Sequence, residues 1–305
     1  MRKILINLII TASIICSVSC DDYGQFEEEL YEKQIYIVSN SENIFDVICD
    51  VGNEDIIHNI AIACSGSQLL DEDLTVTLEE DTILLPKYNY SNYEVNYEKY
   101  AKAVPESYYH FPSLSMVLNA GNERAHYKMP FEFPIENLEK LSPDSIYFLP
   151  LAIKEVSEYV KKPDKFNALA RIYLKNKYAE TSQASIYTVK GFSQAEGENQ
   201  SSLNSQKTLL PLSANSVRMY RGIYDPAQKD LTVDIVNSNA IRITVNGDNT
   251  LSLEPYNEET AKIKVEQLPP PQDEPGFLYT NTFEQAPDKY VPGMLNQRFL
   301  LYYRY

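Results

Sequence analysis

The 305-residue chain carries 27 Lys and Arg against 43 Asp and Glu, a net charge of −16, with 24 Tyr, 10 Gly, 4 Cys and no Trp. That balance makes a polyanion such as nucleic acid or lipopolysaccharide a poor partner, whereas a neutral ligand is not repelled. The length is enough for two domains of ordinary size.

Arg2 and Lys3 open the chain, and a mostly apolar run follows from Ile4 to Val18. The run is short for a membrane-spanning helix and has the charged start, apolar middle and small-residue exit of a secretory signal. The exit Ser17-Val18-Ser19-Cys20 resembles a bacterial lipobox, with Ser17 where Leu is usual. That resemblance implies cleavage before Cys20 and a diacylglycerol on its thiol. The other reading is an ordinary cleaved signal that leaves Cys20 a thiol. Asp21, Asp22, Glu27, Glu28 and Glu29 resemble the acidic stretch that Bacteroidetes place behind a lipid cysteine for export to the cell surface. A plain solvated tether is the alternative. The layout expected is a signal peptide over 1–19 and an acidic, lipid-anchored tether over 20–32. No further hydrophobic span follows, so the lipid would hold the protein on the outer membrane, facing outward. Residues 1–19 take two bases and no acid with them, which leaves −18.

Beyond the tether, apolar residues recur at period 2, the pattern of half-buried strands. It predicts strands at Gln34–Val38, Ile44–Val51, Ile56–Cys64, Leu74–Leu78, Ser113–Leu118, Ala125–Phe133, Ile146–Ile153 and Ala168–Leu174. Helical turns fit near Pro134–Leu141 and within Tyr93–Ala103. A shift near Lys175–Thr181 and a polar stretch over Gln194–Lys207 read as a boundary and a loop. Strands return at Val217–Tyr224, Leu231–Asn237, Ala240–Val245, Leu251–Pro255, Lys262–Gln267 and Gln297–Tyr305. The Asn246-Gly247 pair between two alternating runs marks a hairpin. The fold class expected is all-β, with a sandwich domain over 33–177 and a second β domain over 178–305.

Candidate chemistry is sparse. Cys49 and Cys64 lie in neighbouring apolar runs and would share an oxidising compartment, so a disulfide and two buried thiols are both open. A simple hairpin at Gly52–Asp55 would place Cys49 opposite about residue 58, not Cys64. Asp71-Glu72-Asp73 reads as a Ca²⁺ ligand run or as a solvated turn. His58, His110 and His126 have no zinc-type spacing, and His58 falls on the apolar side of its strand. No Gly-x-Ser-x-Gly or phosphate-cradling loop occurs. No cofactor or metal is called for, and the expectation is a non-catalytic protein.

The tyrosines stand out. Tyr88, Tyr90, Tyr93, Tyr97, Tyr100, Tyr108 and Tyr109 fall within 22 residues, with Asn89, Asn92 and Asn96 between them. Sugar rings present C–H faces that pack on aromatic planes, while amides and phenols bond hydroxyls. The run reads as a ligand platform on a long loop, or as rings covering the end of the sandwich. Tyr279, Phe283 and Tyr290, near Asn281 and Gln285, form a second candidate patch.

Several stretches resemble a pair of uncharacterised domains found in Bacteroidetes lipoproteins of polysaccharide-utilisation loci. The N-terminal one is immunoglobulin-like and also precedes some family-18 glycosidases. Its likeness is carried by Asp73-Leu74-Thr75-Val76-Thr77-Leu78, Pro105-Glu106-Ser107-Tyr108-Tyr109, Leu118-Asn119-Ala120-Gly121 and Tyr147-Phe148-Leu149-Pro150-Leu151-Ala152-Ile153. The C-terminal partner is similar to an antiparallel β-barrel or jelly-roll-like domain, on Tyr220-Arg221-Gly222-Ile223-Tyr224 and Phe299-Leu300-Leu301-Tyr302-Tyr303-Arg304-Tyr305. The family-18 cluster Asp-x-x-Asp-x-Asp-x-Glu is missing, and the paired carboxylates of a glycosidase are not marked. The resemblance implies surface capture of an oligo- or polysaccharide within a Sus-like (starch-utilisation-like) system, beside its receptor and transporter proteins. A structural component of an outer-membrane complex and a carrier of a lipid or other apolar ligand are the competing readings.

Overall fold

A computed structural model describes residues 32–53, 56–66, 69–121, 126–193, 201–221, 231–248, 250–261, 263–267, 284–285 and 299–303. Residues 1–31, with Cys20 and nearly all of the expected tether, lie outside them. So do Tyr279, Phe283 and Tyr290.

The first unit is an immunoglobulin-like sandwich. Its strands are β1 (Gln34–Ile37), β2 (Ile44–Asp50), β3 (Ile57–Cys64), β4 (Leu74–Glu80), β5 (Lys102–Ala103), β6 (Ser115–Leu118), β7 (Tyr127–Glu132), β8 (Tyr147–Val156), β9 (Val160–Lys161) and β10 (Asn167–Lys175). One sheet runs β7-β3-β1-β9. The other runs β2-β10-β8-β4-β6, with β5 added beside β8. Most pairs are antiparallel, but β2 lies parallel to β10, β1 parallel to β9 and β5 parallel to β8. The alternation of the sequence sends Ile35, Ile37, Ile60, Ile62, Met129 and Phe131 inward from the first sheet. Val47, Cys49, Leu74, Val76, Leu78, Leu149, Leu151 and Ile153 meet them from the second. Burying such a side chain contributes about 1.5–3 kcal/mol.

β8 departs from alternation, because Phe148 through Ile153 are all buried. Its outer face is covered too. There Phe148 joins Ile44, Ala101 and Leu169 in a second small core, against which Leu84, Leu85 and Tyr88 pack. Those three belong to helix α1 (Leu84–Tyr93), which has no counterpart among the predicted elements, while the turn expected within Tyr93–Ala103 is a single 3-10 turn at Tyr97–Lys99. The turn predicted near Pro134 is α2 (Ile135–Leu138).

Cys49 and Cys64 are not joined by a disulfide. β2 and β3 do not form a hairpin but go to opposite sheets, with Cys49 opposite Leu174 and Cys64 opposite Ile35. Burial pushes the Cys49 thiol up to about 12, so the nucleophilic thiolate is scarce at neutral pH. Iodoacetamide at pH 8 is therefore expected to spare Cys49 in the folded protein and to alkylate it after denaturation. Rapid native labelling of Cys49, read by peptide mass spectrometry, would contradict that. The Asp71-Glu72-Asp73 run is internally committed. Asp71 pairs with Lys33 at 2.8 Å, and Asp73 accepts a 2.7 Å hydrogen bond from the Ala120 amide. Among the described residues no cluster of three His, Cys, Asp or Glu could hold a metal.

The second unit has its own core of Tyr178, Tyr187, Leu209, Val217, Met219, Ile241, Ile243, Val245 and Leu251. Its strands are β11 (Ser185–Ser193), β12 (Ser201–Ser213), β13 (Ser216–Tyr220), β14 (Ala240–Val245), β15 (Leu251–Pro255), β16 (Ile263–Gln267), β17 (Glu284–Gln285) and β18 (Phe299–Tyr303), with helix α3 (Val233–Asn239) before β14. The order β15-β14-β13-β12-β11-β17 is an antiparallel sheet curled into a half barrel, and β16 pairs with β18. The Asn-Gly turn joins β14 and β15 as predicted. Two expectations fail. The supposed loop over Gln194–Lys207 includes half of β12. The strand predicted at Leu231–Asn237 is instead α3, capped by Thr232, whose hydroxyl accepts from the Ile235 amide.

Candidate functional site

The site is built on the outer face of the six-stranded sheet, and it begins at Asp81, just past β4. The Asp81 carboxylate accepts hydrogen bonds from the amides of Ile83 at 2.9 Å and Leu84 at 2.5 Å. These are donors that a helix start leaves without intrahelical partners. Its other oxygen accepts from Asn167 Nδ2 at 2.9 Å, which ties the start of α1 to β10. Pro86 falls in the first turn, where a missing N–H does no harm. Halfway along, buried Asn89 donates to the Ala101 carbonyl at 2.9 Å and accepts from the Ala101 amide at 2.8 Å. The helix is thus fixed at its start and at its middle.

α1 ends at Tyr93, and the next residue, Glu94, has a φ of 48°, in the left-handed region. Holding a non-glycine residue there costs on the order of 1–2 kcal/mol. Tyr100, after a single 3-10 turn at Tyr97–Lys99, returns to donate a 2.6 Å hydrogen bond to the Glu94 carbonyl. That bond closes the segment 94–100 into a tight knuckle.

The rings form a connected series from the core to the surface. Tyr88 stands edge-on to Phe148 at 4.8 Å and to Tyr93 at 6.3 Å. Tyr93 meets Tyr100 at 6.3 Å, and Tyr100 meets Tyr97 at 5.1 Å. Tyr97 is 71 % exposed, and Tyr90 is 68 % exposed. Burial, followed by the neighbouring Tyr88 phenol, holds the Tyr93 hydroxyl above its ordinary pKa, so it stays a neutral hydrogen-bonding group. A shallow, solvent-open depression of about 450 Å³ lies here, lined by Ser91, Asn92, Tyr93, Glu94, Asn96 and Lys99. It offers one aromatic wall, two amides, a hydroxyl and one charge of each sign.

Five of the seven clustered tyrosines therefore gather on a helix and a knuckle, not on a long loop. Tyr108 and Tyr109 do not join them. They pack against the sandwich core, where Tyr109 stands edge-on to Phe111 at 5.9 Å and Lys140 sits 5.4 Å over the Tyr108 ring. His58 lies 5.5 Å from Phe131, tilted against its ring. Sequence reasoning missed Arg171 and Tyr173 of β10, which flank the helix. Their only signal was position. In a strand whose Ala170, Ile172 and Leu174 face the core, residues 171 and 173 must face outward.

Residues 31–160 match a family model described as an N-terminal domain, and residues 166–305 match one described as C-terminal. No curated protein matches the chain. Among solved structures, a Bacteroides ovatus protein of unknown function is 18 % identical with a TM-score of 0.58, over 78 % of this chain and 76 % of that one. A multidomain Bacteroides ovatus protein that includes the domain of unknown function DUF1735 is 17 % identical with a TM-score of 0.56, over 77 % and 75 %. A Bacteroides thetaiotaomicron protein described as an auxiliary nutrient binding protein is 17 % identical with a TM-score of 0.52, over 76 % and 80 %. The chain is thus a two-domain protein, an N-terminal family domain followed by a C-terminal one, that shares its fold with proteins of the Bacteroidetes.

Proposed function

We propose that the chain is a non-catalytic lipoprotein of the outer cell surface, anchored through Cys20, that binds glycan on α1 and the knuckle after it. It serves a Sus-like polysaccharide-utilisation system. The observation that carries this reading is the ring series Tyr88–Tyr93–Tyr100–Tyr97, rooted on buried Phe148 and ending in solvent beside a shallow depression lined by Asn92 and Asn96. Rings so rooted lose little freedom when a sugar face stacks on them, and the amides beside them match hydroxyls. A protein of the same fold that is described as nutrient binding supports the class of function. The lipobox-like Cys20 and the acids behind it support the location.

Calorimetry against a panel of host and plant oligosaccharides tests the reading. Replacing both Tyr90 and Tyr97 with Ala is expected to weaken the best ligand by roughly ten- to hundredfold, from about 0.5–1.5 kcal/mol per ring contact. The double variant should leave thermal stability nearly unchanged, since both rings are exposed. Affinity that survives the double substitution would remove this surface from consideration.

A further inference from the structure

Beside the tyrosine-lined depression lies Arg171, which among the described residues forms no ion pair within 4.0 Å. β10 sends Ala168, Ala170, Ile172 and Leu174 into the sandwich and leaves Asn167, Leu169, Arg171 and Tyr173 on the outer face. α1 covers Leu169, and Arg171 and Tyr173 emerge half-buried past its edge. The Arg171 guanidinium lies 4.9 Å from the centre of the Tyr173 ring. Burial and Tyr88 raise the Tyr93 pKa, and the charge of Arg171 works against them. Arg171 and Tyr173 thus lie on the same face of β10 as Leu169, the residue that α1 covers. The strand register sets Asp46 next to Arg171 and Ile48 next to Tyr173, and Ile48 is 51 % exposed.

The contrast with Arg218 and Arg242 is informative. Arg218 takes Asp144 at 2.5 Å and Arg242 takes Glu254 at 3.5 Å, whereas among the described residues Arg171 has no carboxylate within 4.0 Å. A guanidinium backed by an aromatic plane keeps its forked donors in one orientation, and that fork matches a carboxylate. We propose, resting on the glycan reading above, that Arg171 and Tyr173 extend the cleft into a subsite for a sugar that bears a carboxylate. The occupant is a glycan in which acidic sugars are sparse among neutral ones. The neutral residues stack on Tyr93 and Tyr97, and a single hexuronic acid meets Arg171. Two features set that sparseness. Asp46, beside Arg171, offsets part of its charge and leaves little to hold a second carboxylate. The net charge of −16 also disfavours a densely charged polymer, although at physiological salt screening within about 8 Å leaves a local contact intact.

The test uses oligosaccharides that carry one hexuronic acid, each beside its carboxyl-reduced hexose form, with binding measured by calorimetry at low and at physiological salt. The protein is expected to bind the acidic form about tenfold or more tightly, with a margin that narrows as salt rises. Arg171→Gln should remove the margin and leave affinity for the reduced form unchanged. Arg171→Lys, which keeps the charge and loses the fork, should fall between. An unchanged melting temperature shows that each variant is folded, and Tyr173→Phe, which keeps the ring beneath the guanidinium, should retain the margin. If both forms bind equally, or if the margin survives in Arg171→Gln, the acidic subsite is wrong while the glycan reading stands. If neither form of any oligosaccharide binds, the glycan reading falls and takes the subsite with it.

Discussion

Replacing Asp144 with Ala is expected to destabilise the protein by about 3–5 kcal/mol, the usual result of leaving one member of a buried ion pair without its partner. Arg218 is only 1 % exposed, and its two terminal nitrogens each lie 2.5 Å from an Asp144 oxygen. Burial works against the guanidinium's charge, but the hydrogen bonds and charge of Asp144 outweigh it and hold the group above its ordinary pKa. The rings of Tyr220 and Tyr256 flank it at 5.5 Å and 5.3 Å, and Asp144 is the more exposed partner at 17 %. Asp144 belongs to the first unit and Arg218 to β13 of the second, so the pair spans the junction. Asn176 reinforces that junction by donating to the carbonyls of Ser213 at 2.7 Å and Ser216 at 2.9 Å. Urea denaturation should show the variant's midpoint well below that of the parent, with the melting temperature lower by on the order of 10 °C. Exchanging both charges for apolar residues of similar size, Asp144→Leu with Arg218→Met, should recover much of the loss. A cost under about 1 kcal/mol for Asp144→Ala would show that Arg218 finds solvent when its partner is gone.

Phe148→Ala should be as damaging to stability, at about 3–5 kcal/mol, because it opens a cavity in a fully buried position. Its second effect sets it apart. Phe148 is the floor on which Tyr88 rests at 4.8 Å and against which Leu84 and Leu85 pack. Without it α1 loses its seat, and the ring series that starts at Tyr88 loses its fixed origin. Phe131→Ala is the matched control, equally buried in the sandwich core and remote from α1. Both variants should show similar denaturation midpoints, and only Phe148→Ala should weaken ligand binding by tenfold or more at a temperature where both are folded. Equal binding by the two would mean that the tyrosines hold their positions without the floor.

Strands were legible in the sequence wherever one face meets a core and the other meets water, as in Leu74-Thr75-Val76-Thr77-Leu78. They were hidden where a polar residue takes an inward position. β12 alternates correctly, but one of its buried positions is Lys207, which turned a strand into an apparent loop. α3 was hidden for the opposite reason. Val233, Ile235 and Val236 are β-branched and favour strands, yet the Thr232 cap and the packing of Val236 beside Ala240 win. α1 lacks an apolar stripe because its segment is rich in Tyr and Asn, so nothing periodic marked it. The aromatic density of residues 88–100 did mark the site. Its division from Tyr108 and Tyr109, and its extension to Arg171, required knowing which strands lie next to α1, and that depends on pairings across most of the first unit.

The parallel pairing of β2 with β10 carries a consequence for the order in which this chain can assemble. Ile44 lies opposite Leu169, so the contact closes a loop of well over a hundred residues, with a large entropic cost before any reward. β10 also sits between β2, the edge strand, and β8. Until that strand has been synthesised and inserted, β2 has no neighbour and β8 keeps an open edge. The first unit therefore completes late, only as the junction to the second leaves the ribosome. The strand that closes the sandwich is the one whose end leads into the next core, so the finishing of one unit and the founding of the other fall at the same point in the chain.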